Sequence, residues 1–154
     1  MTAHQIHLVK KTWRLLRKVD PHLLANVFYK RLFLRSASAR SLFGGPMEVQ
    51  YEKFVAMLSF LVAHLDQPET LLGEAIAMAR RHVTYGVTPA HYRPVGEALL
   101  WTIQKGLGPD WNDDVRQAWQ ACYELLTKAM LEQETGDSDT PTVRVFPTQS
   151  DGQD

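Results

Sequence analysis

A histidine on an apolar helical stripe is the first residue in this chain that invites chemistry. His82 follows Met78 by four residues and Ala75 by seven, so a helix through this segment turns the imidazole inwards. Two readings are open for such a histidine. It is a core residue hydrogen-bonded to backbone, or it is a metal ligand, because neutral imidazole binds iron well and a buried ring needs a partner for each nitrogen. Gln50 and Phe54 lie four residues apart on an earlier segment and share a helix face. Across a flat pocket they would set an amide and a phenyl ring opposite the imidazole. Tyr29 directly follows Phe28 in Phe28-Tyr29-Lys30-Arg31-Leu32-Phe33. If it enters the core its phenol needs a hydrogen-bond partner; if it stands at the core's edge, water serves.

These residues need helices to position them, and the sequence supplies the signals. Thr2 with Gln5 forms a capping-box pattern ahead of Ile6, Val9, Trp13 and Leu16 at helical spacing. Asp20-Pro21 reads as an N-cap followed by proline at the first helical position. Leu24, Val27, Phe28 and Leu32 carry the second stripe. A short turn is expected over about Ser38 to Leu42, ended by Gly44-Gly45-Pro46. An amphipathic segment runs from about Met47 to Leu65 and breaks at Asp66-Gln67-Pro68. The next, about Glu69 to Tyr85, carries Leu71, Ala75, Met78 and His82 on one face and stops at Gly86. Thr88-Pro89 restarts the chain for Tyr92, Val95, Leu99 and Ile103. Asn112 to Asp114 opens a last helix along Val115, Trp119, Cys122, Leu126 and Met130. No segment reads as a strand, so the class is all-α, with helices packed side by side to bury their stripes. Residues 135–154 are rich in Asp, Thr, Gly, Gln and Pro without a period, which reads as a disordered tail behind one domain, 1–134.

Composition narrows the functional classes. Lys plus Arg and Asp plus Glu are 17 each, so no net field draws in nucleic acid or an anionic membrane. The apolar run around Met57 to Leu65 is far too short to span a bilayer. Cys122 is the single cysteine, which excludes an internal disulfide and suits a reducing cytoplasm. It reads as a small core residue, and Trp13, Trp101, Trp111 and Trp119 as packing residues. Among the other histidines, His64 would stand about 21 Å beyond Gln50 on the same helix. His4, His7 and His22 lie near polar helix ends, and His91 in a first turn near solvent.

Taken in order, these signatures resemble the globin family, and within it the flavohaemoglobins and single-domain bacterial haemoglobins. Phe28-Tyr29-Lys30-Arg31-Leu32-Phe33 resembles the family's second-helix motif with its distal tyrosine. Leu42-Phe43 resembles its phenylalanine on the haem face. Gln50, Lys53 and Phe54 fall where the family has a distal glutamine, a residue that reaches a propionate, and an apolar residue over the iron. Arg81-His82 with Tyr85-Gly86-Val87 resembles the proximal segment. His91-Tyr92-Arg93-Pro94-Val95-Gly96-Glu97-Ala98-Leu99-Leu100 is the most specific match. The likeness runs from about Ile6 to Glu134. The Tyr29/Gln50 pair and the short Gly-Gly-Pro connection are similar to the Hell's Gate type of globin.

The resemblance implies a three-on-three helical sandwich around haem b, with His82 as the iron ligand. It implies a cofactor pocket that includes Phe43, Gln50, Lys53, Phe54, Arg81, Tyr92 and Val95. It also implies a relay in which Tyr92 and Glu134 polarise the proximal imidazole, and distal donors Tyr29 and Gln50 over the gas. Oxygen, nitric oxide and carbon monoxide are the implied ligands, and nitric oxide dioxygenation the implied reaction. A flavohaemoglobin carries a reductase domain after the globin. This sequence ends at Asp154, so an external reductase is expected. Oxygen storage or transport without turnover, and a haem-less sensor module, are the alternative readings. A monomer and a homodimer are both compatible with the sequence.

Overall fold

The computed structural model describes residues 1–135, with side chains through Glu132. Seven α-helices are formed there, and no strand is found among the described residues: α1 (Ala3–Leu16), α2 (Pro21–Arg35), α3 (Ala37–Arg40), α4 (Met47–Ala63), α5 (Pro68–Thr84), α6 (Tyr92–Leu107) and α7 (Asp113–Thr135). None of them is long and apolar enough to cross a membrane. The expected tail lies outside the described residues, apart from Thr135 at the end of α7.

The helix boundaries follow from local chemistry. Thr2 Oγ1 accepts from the Gln5 amide at 3.0 Å while Gln5 Oε1 accepts from the Thr2 amide, so two donors orphaned by helix geometry are satisfied. Asp20 Oδ1 accepts from the His22 amide at 2.9 Å, with Pro21 opening α2. Asn112 Oδ1 accepts from the Val115 amide at 2.9 Å at the start of α7. Gly86 has φ +91°, a left-handed conformation that reverses the chain just after α5. The restart at Thr88-Pro89 differs from expectation: a 3-10 turn, Pro89–His91, comes first and α6 begins only at Tyr92.

Helix α1 lies on α7 and α6, α2 on α6 and α4, and α5 on α7. Trp119 is wholly buried, and its indole Nε1 donates to Thr12 Oγ1 at 2.9 Å. Thr12 in turn donates to the Leu8 carbonyl at 2.7 Å, so the α1–α7 contact has no unpaired polar atom there. At Gly106 a Cβ would fall 2.6 Å from Leu16 Cδ2, so α6 and α1 come together where α6 lacks a side chain. Between α2 and α6, Arg31 forks onto the Glu97 carboxylate, with Nε to Oε1 at 3.0 Å, and its guanidinium lies 4.8 Å from the Trp101 ring. Two sequence motifs, one holding Tyr29 and the other holding Tyr92, are thereby fixed to each other.

Replacing Thr12 by Val removes the acceptor for a fully buried indole N–H. Thr12→Val should therefore lower the unfolding free energy by about 1–3 kcal/mol. Urea denaturation reads this as a lower midpoint at unchanged slope; an unaltered midpoint would mean the indole bond carries no net stability.

Candidate functional site

His82 sits in the last turn of α5 and is half-buried. Its Nδ1 lies 2.7 Å from the Met78 carbonyl oxygen, one turn back. A carbonyl can only accept, so Nδ1 carries the hydrogen and donates it. Nε2 then keeps the lone pair, which is the form of imidazole a metal takes. No hydrogen bond to Nε2 is found among the described residues. The two sequence readings of His82, backbone-bonded and ligating, are therefore compatible. His64 makes the same kind of bond, Nδ1 to the Phe60 carbonyl at 2.8 Å, but its ring stacks on Phe60 at 4.2 Å. What distinguishes His82 is its place in the fold.

On the opposite side, α2 and α4 build an aromatic wall. The α2 stripe is rotated slightly from expectation: Ala25 and Tyr29 are buried while Val27 is half-buried. Tyr29 is only 7% exposed, so it belongs to the core and not to its edge. Around it stand Phe28 (5.0 Å between ring centroids), Phe43 (5.4 Å), Phe33 and Tyr51 (both 5.8 Å) and Phe54 (5.9 Å). Phe54 stacks on Phe28 at 4.3 Å. The Tyr29 hydroxyl makes no hydrogen bond among the described residues. Burial, and then the neighbouring Tyr51 phenol, push its pKa up from 10.0 to about 12. It is thus a fixed O–H donor at any physiological pH. Gln50, half-buried one turn before Phe54, has a side-chain amide with no partner among the described residues.

The walls are tied at one end and parted at the other. A Cβ on Gly86, just after α5, would meet Leu42 Cδ2 at 3.6 Å, and Leu42 precedes the Phe43 that touches Tyr29. Ser38 Oγ and His91 Nε2, 3.1 Å apart, add a second tie, which makes His91 a half-buried contact and not a free surface residue. Elsewhere α4 and α5 scarcely approach each other. At the far end an apolar cavity of about 240 Å³ is lined by Leu61 of α4, Leu65 just after it, Leu71 and Ala75 of α5, and Leu126 of α7.

The remaining expected site residues are placed unevenly. Tyr92 is buried at the start of α6, and the Tyr123 hydroxyl donates to its carbonyl at 2.6 Å. Burial raises the Tyr123 pKa, and Tyr92 adds to the rise. Val95 is half-buried on the same helix. Lys53 is exposed and enters no ion pair among the described residues. Arg81 is exposed and its Nη2 donates to Glu74 Oε1 at 3.0 Å, so that guanidinium is engaged along its own helix. The Glu134 side chain lies outside the described residues. Cys122 is fully buried, and burial pushes its thiol up to about 12. Three contacts escape sequence reasoning: Arg31 with Glu97, Tyr123 with the Tyr92 carbonyl, and Asn26 with Tyr51. The last had a trace, because Asn26 lies three residues before Tyr29 and Tyr51 directly follows Gln50.

A planar iron cofactor needs a nitrogen lone pair on one side, apolar walls, and on the other side donors for the ligand it holds. The free Nε2 of His82, the aromatic wall and the unpartnered Tyr29 hydroxyl meet those needs, so the residues present fit haem.

Comparison with known proteins agrees with this geometry. The family model described as Globin matches residues 26–130. An uncharacterized globin-like protein of Aquifex aeolicus is 30% identical over 131 residues, covering 85% of this chain and 92% of that protein. A flavohemoprotein of Chromobacterium violaceum is 33% identical over 132 residues, covering 84% of this chain but 32% of the relative, so the chain spans about a third of that protein's length. Among solved structures, an engineered carbene transferase made from a protein described as a nitric oxide dioxygenase of Rhodothermus marinus superposes with a TM-score of 0.76 at 28% identity, covering 88% of this chain and 95% of that one. A bacterial globin of Campylobacter jejuni superposes at 0.70 with 22% identity, over 87% and 97% of the two chains, which is a likeness of fold.

The raised pKa of Tyr29 has a consequence for stability. Between pH 10 and about 12 the unfolded phenol ionises while the folded one keeps its proton. The native state then binds more protons, so stability falls as pH rises through this window. Denaturant titrations from pH 8 upward should show this decline, to which the buried Cys122 thiol and Tyr123 phenol add their own share, and Tyr29→Phe should make it shallower without abolishing it; an equally steep decline in the variant would place the effect on those other groups.

Proposed function

This chain belongs to the globin family, and on that premise we propose that it holds haem b through His82, binds oxygen and other diatomic gases reversibly on the opposite face, and converts nitric oxide and oxygen to nitrate when a reductase supplies electrons. The observation that carries the reading is the Tyr29 hydroxyl, buried among aromatic rings with no acceptor among the described residues. A buried polar group without a partner is costly unless something else takes its hydrogen, and a gas ligand gaining negative charge is such an acceptor. The Rhodothermus relative described as a nitric oxide dioxygenase and the flavohemoprotein relatives support the choice of reaction.

Haem, when bound, supplies a ferrous iron that holds a diatomic gas and lends it electron density. The chain's own residues do the rest. The Met78 carbonyl fixes the His82 tautomer and the plane of its ring. Tyr29 donates from the distal side, and Gln50 stands one helix away as a second donor. A hydrogen bond to a charged group is worth about 1.5–3 kcal/mol, or roughly ten- to a hundredfold in retention of the ligand. Phe28, Phe43 and Phe54 exclude water. Lys53 is free to reach a propionate, and Tyr92 and Val95 form an apolar flank. The relay through Tyr92 and Glu134 belongs to this proposal too. Each nitrate formed from oxygen and nitric oxide consumes one electron, which is why a reductase partner is included.

A second reading, an oxygen store without turnover, is favoured by one contact. The described partner of His82 Nδ1 is a neutral carbonyl, which polarises imidazole less than a carboxylate would.

Mixing the oxygenated protein with nitric oxide decides between them. Dioxygenation gives nitrate in proportion to protein, and repeated turnover once a reductase is added; an oxygen store gives one round at most. Tyr29→Phe should speed oxygen dissociation by about tenfold or more. A rate within a factor of about two of the parent, well under one hydrogen bond's worth, would mean that Tyr29 does not touch the ligand.

A further inference from the structure

Tyr51 is not among the residues assigned to the site, yet it is built into the distal wall. It lies on α4 directly after Gln50, and its ring is 5.8 Å from that of Tyr29 with the planes only 30° apart. Its hydroxyl oxygen accepts a hydrogen bond from Asn26 Nδ2 at 2.8 Å. Asn26 is on α2, three residues before Tyr29, so one helix presents both the anchor of Tyr51 and the tyrosine that Tyr51 flanks. His22, a further turn back on α2, meets the Tyr51 ring edge-on with centroids 6.3 Å apart.

The direction of the Asn26 bond matters. A phenol oxygen that accepts from the amide still has its own hydrogen to give, and that hydrogen must point away from the donor. Meanwhile Tyr29 touches five aromatic rings, and its hydroxyl has no hydrogen bond among the described residues to fix it. Its orientation therefore depends on the rings that clamp it. Among these, the Tyr51 ring is the one pinned by a hydrogen bond of its own.

We propose that Tyr51 is the positioning residue of the distal site: held by Asn26, it sets where the Tyr29 hydroxyl and its hydrogen point. This rests on the reading that Tyr29 faces a gas ligand. Asn26 acts one step further out, by holding the hydroxyl end of the Tyr51 ring against α2. The influence of the Tyr51 phenol on the ionisation of Tyr29 agrees with this closeness.

The test uses the ferrous carbonyl complex of the haem-loaded protein. The C–O stretching frequency falls when a donor points at the ligand, and it measures geometry and field without turnover. Tyr51→Phe keeps the ring and removes only the anchoring hydroxyl. It should shift the stretch to higher wavenumber, by less than Tyr29→Phe does, and speed oxygen dissociation by about two- to tenfold, the equivalent of a neutral hydrogen bond. Asn26→Leu, which removes the anchor and leaves the phenol, should move the stretch the same way. On a Tyr29→Phe background Tyr51→Phe should have no further effect, because Tyr51 acts through Tyr29. Carbon-13 NMR of the Tyr29 Cζ in the same diamagnetic complex should show its resonance move in Tyr51→Phe.

An unchanged stretch in Tyr51→Phe would overturn the proposal, since ring packing alone survives that substitution. So would a shift that persists at full size without the Tyr29 hydroxyl. If Tyr29→Phe itself leaves the stretch unmoved, the distal assignment fails and Tyr51's role fails with it.

Discussion

The hydrogen bond from His82 Nδ1 to the Met78 carbonyl, 2.7 Å long, settles what the imidazole can be. A helix carbonyl keeps a second lone pair besides the one its backbone bond uses, and a histidine four residues on can reach back to it from the next turn. With Nδ1 committed, Nε2 becomes a lone pair held in a fixed direction by a rigid helix. Gly86, with its positive φ, ends α5 a few residues later and turns the chain so that the proximal loop meets Leu42 and the distal wall.

The rest of the fold carries His82 and the Tyr29 wall on separate helices. Helix α5 is carried by α7, and α4 by α2, so the two walls hang from different supports. Each support is fixed to a neighbour in turn, α7 to α1 by the buried bond from Trp119 to Thr12 and α2 to α6 by the half-buried Arg31–Glu97 pair. Core packing of this kind has few low-energy alternatives, so each wall keeps its place on its own support. The packing leaves the Tyr29 hydroxyl without a partner among the described residues and an apolar cavity lined by α4, α5 and α7.

Helices, caps and breaks were legible in the sequence because their causes are local. The Thr2/Gln5 box, Asp20-Pro21 and Gly86 each act within a few residues, and each does in the structure what its chemistry dictates. Membership of the globin family was legible from motif order. The tertiary partners were not, since nothing local to Glu97 announces Arg31, and Tyr51 looks like an ordinary half-buried tyrosine until Asn26 and Tyr29 lie beside it. Tyr29 was ambiguous between edge and core because its neighbour Phe28 accounts for the stripe by itself; the rotation of α2 that buries both is decided by packing against α4 and α6. The roles of Arg81 and Glu134 in the site remain proposals, the first engaged with Glu74 and the second with its side chain beyond the described residues.

Resonance Raman spectroscopy of the reduced, ligand-free protein reads the iron–histidine stretch and so addresses the His82 nitrogen directly. The account predicts an iron–imidazole band in the parent protein that disappears in His82→Gly and returns, shifted, when free imidazole is added to fill the gap. A protein that takes up no haem, or an iron–histidine band that persists unchanged without His82, would contradict it.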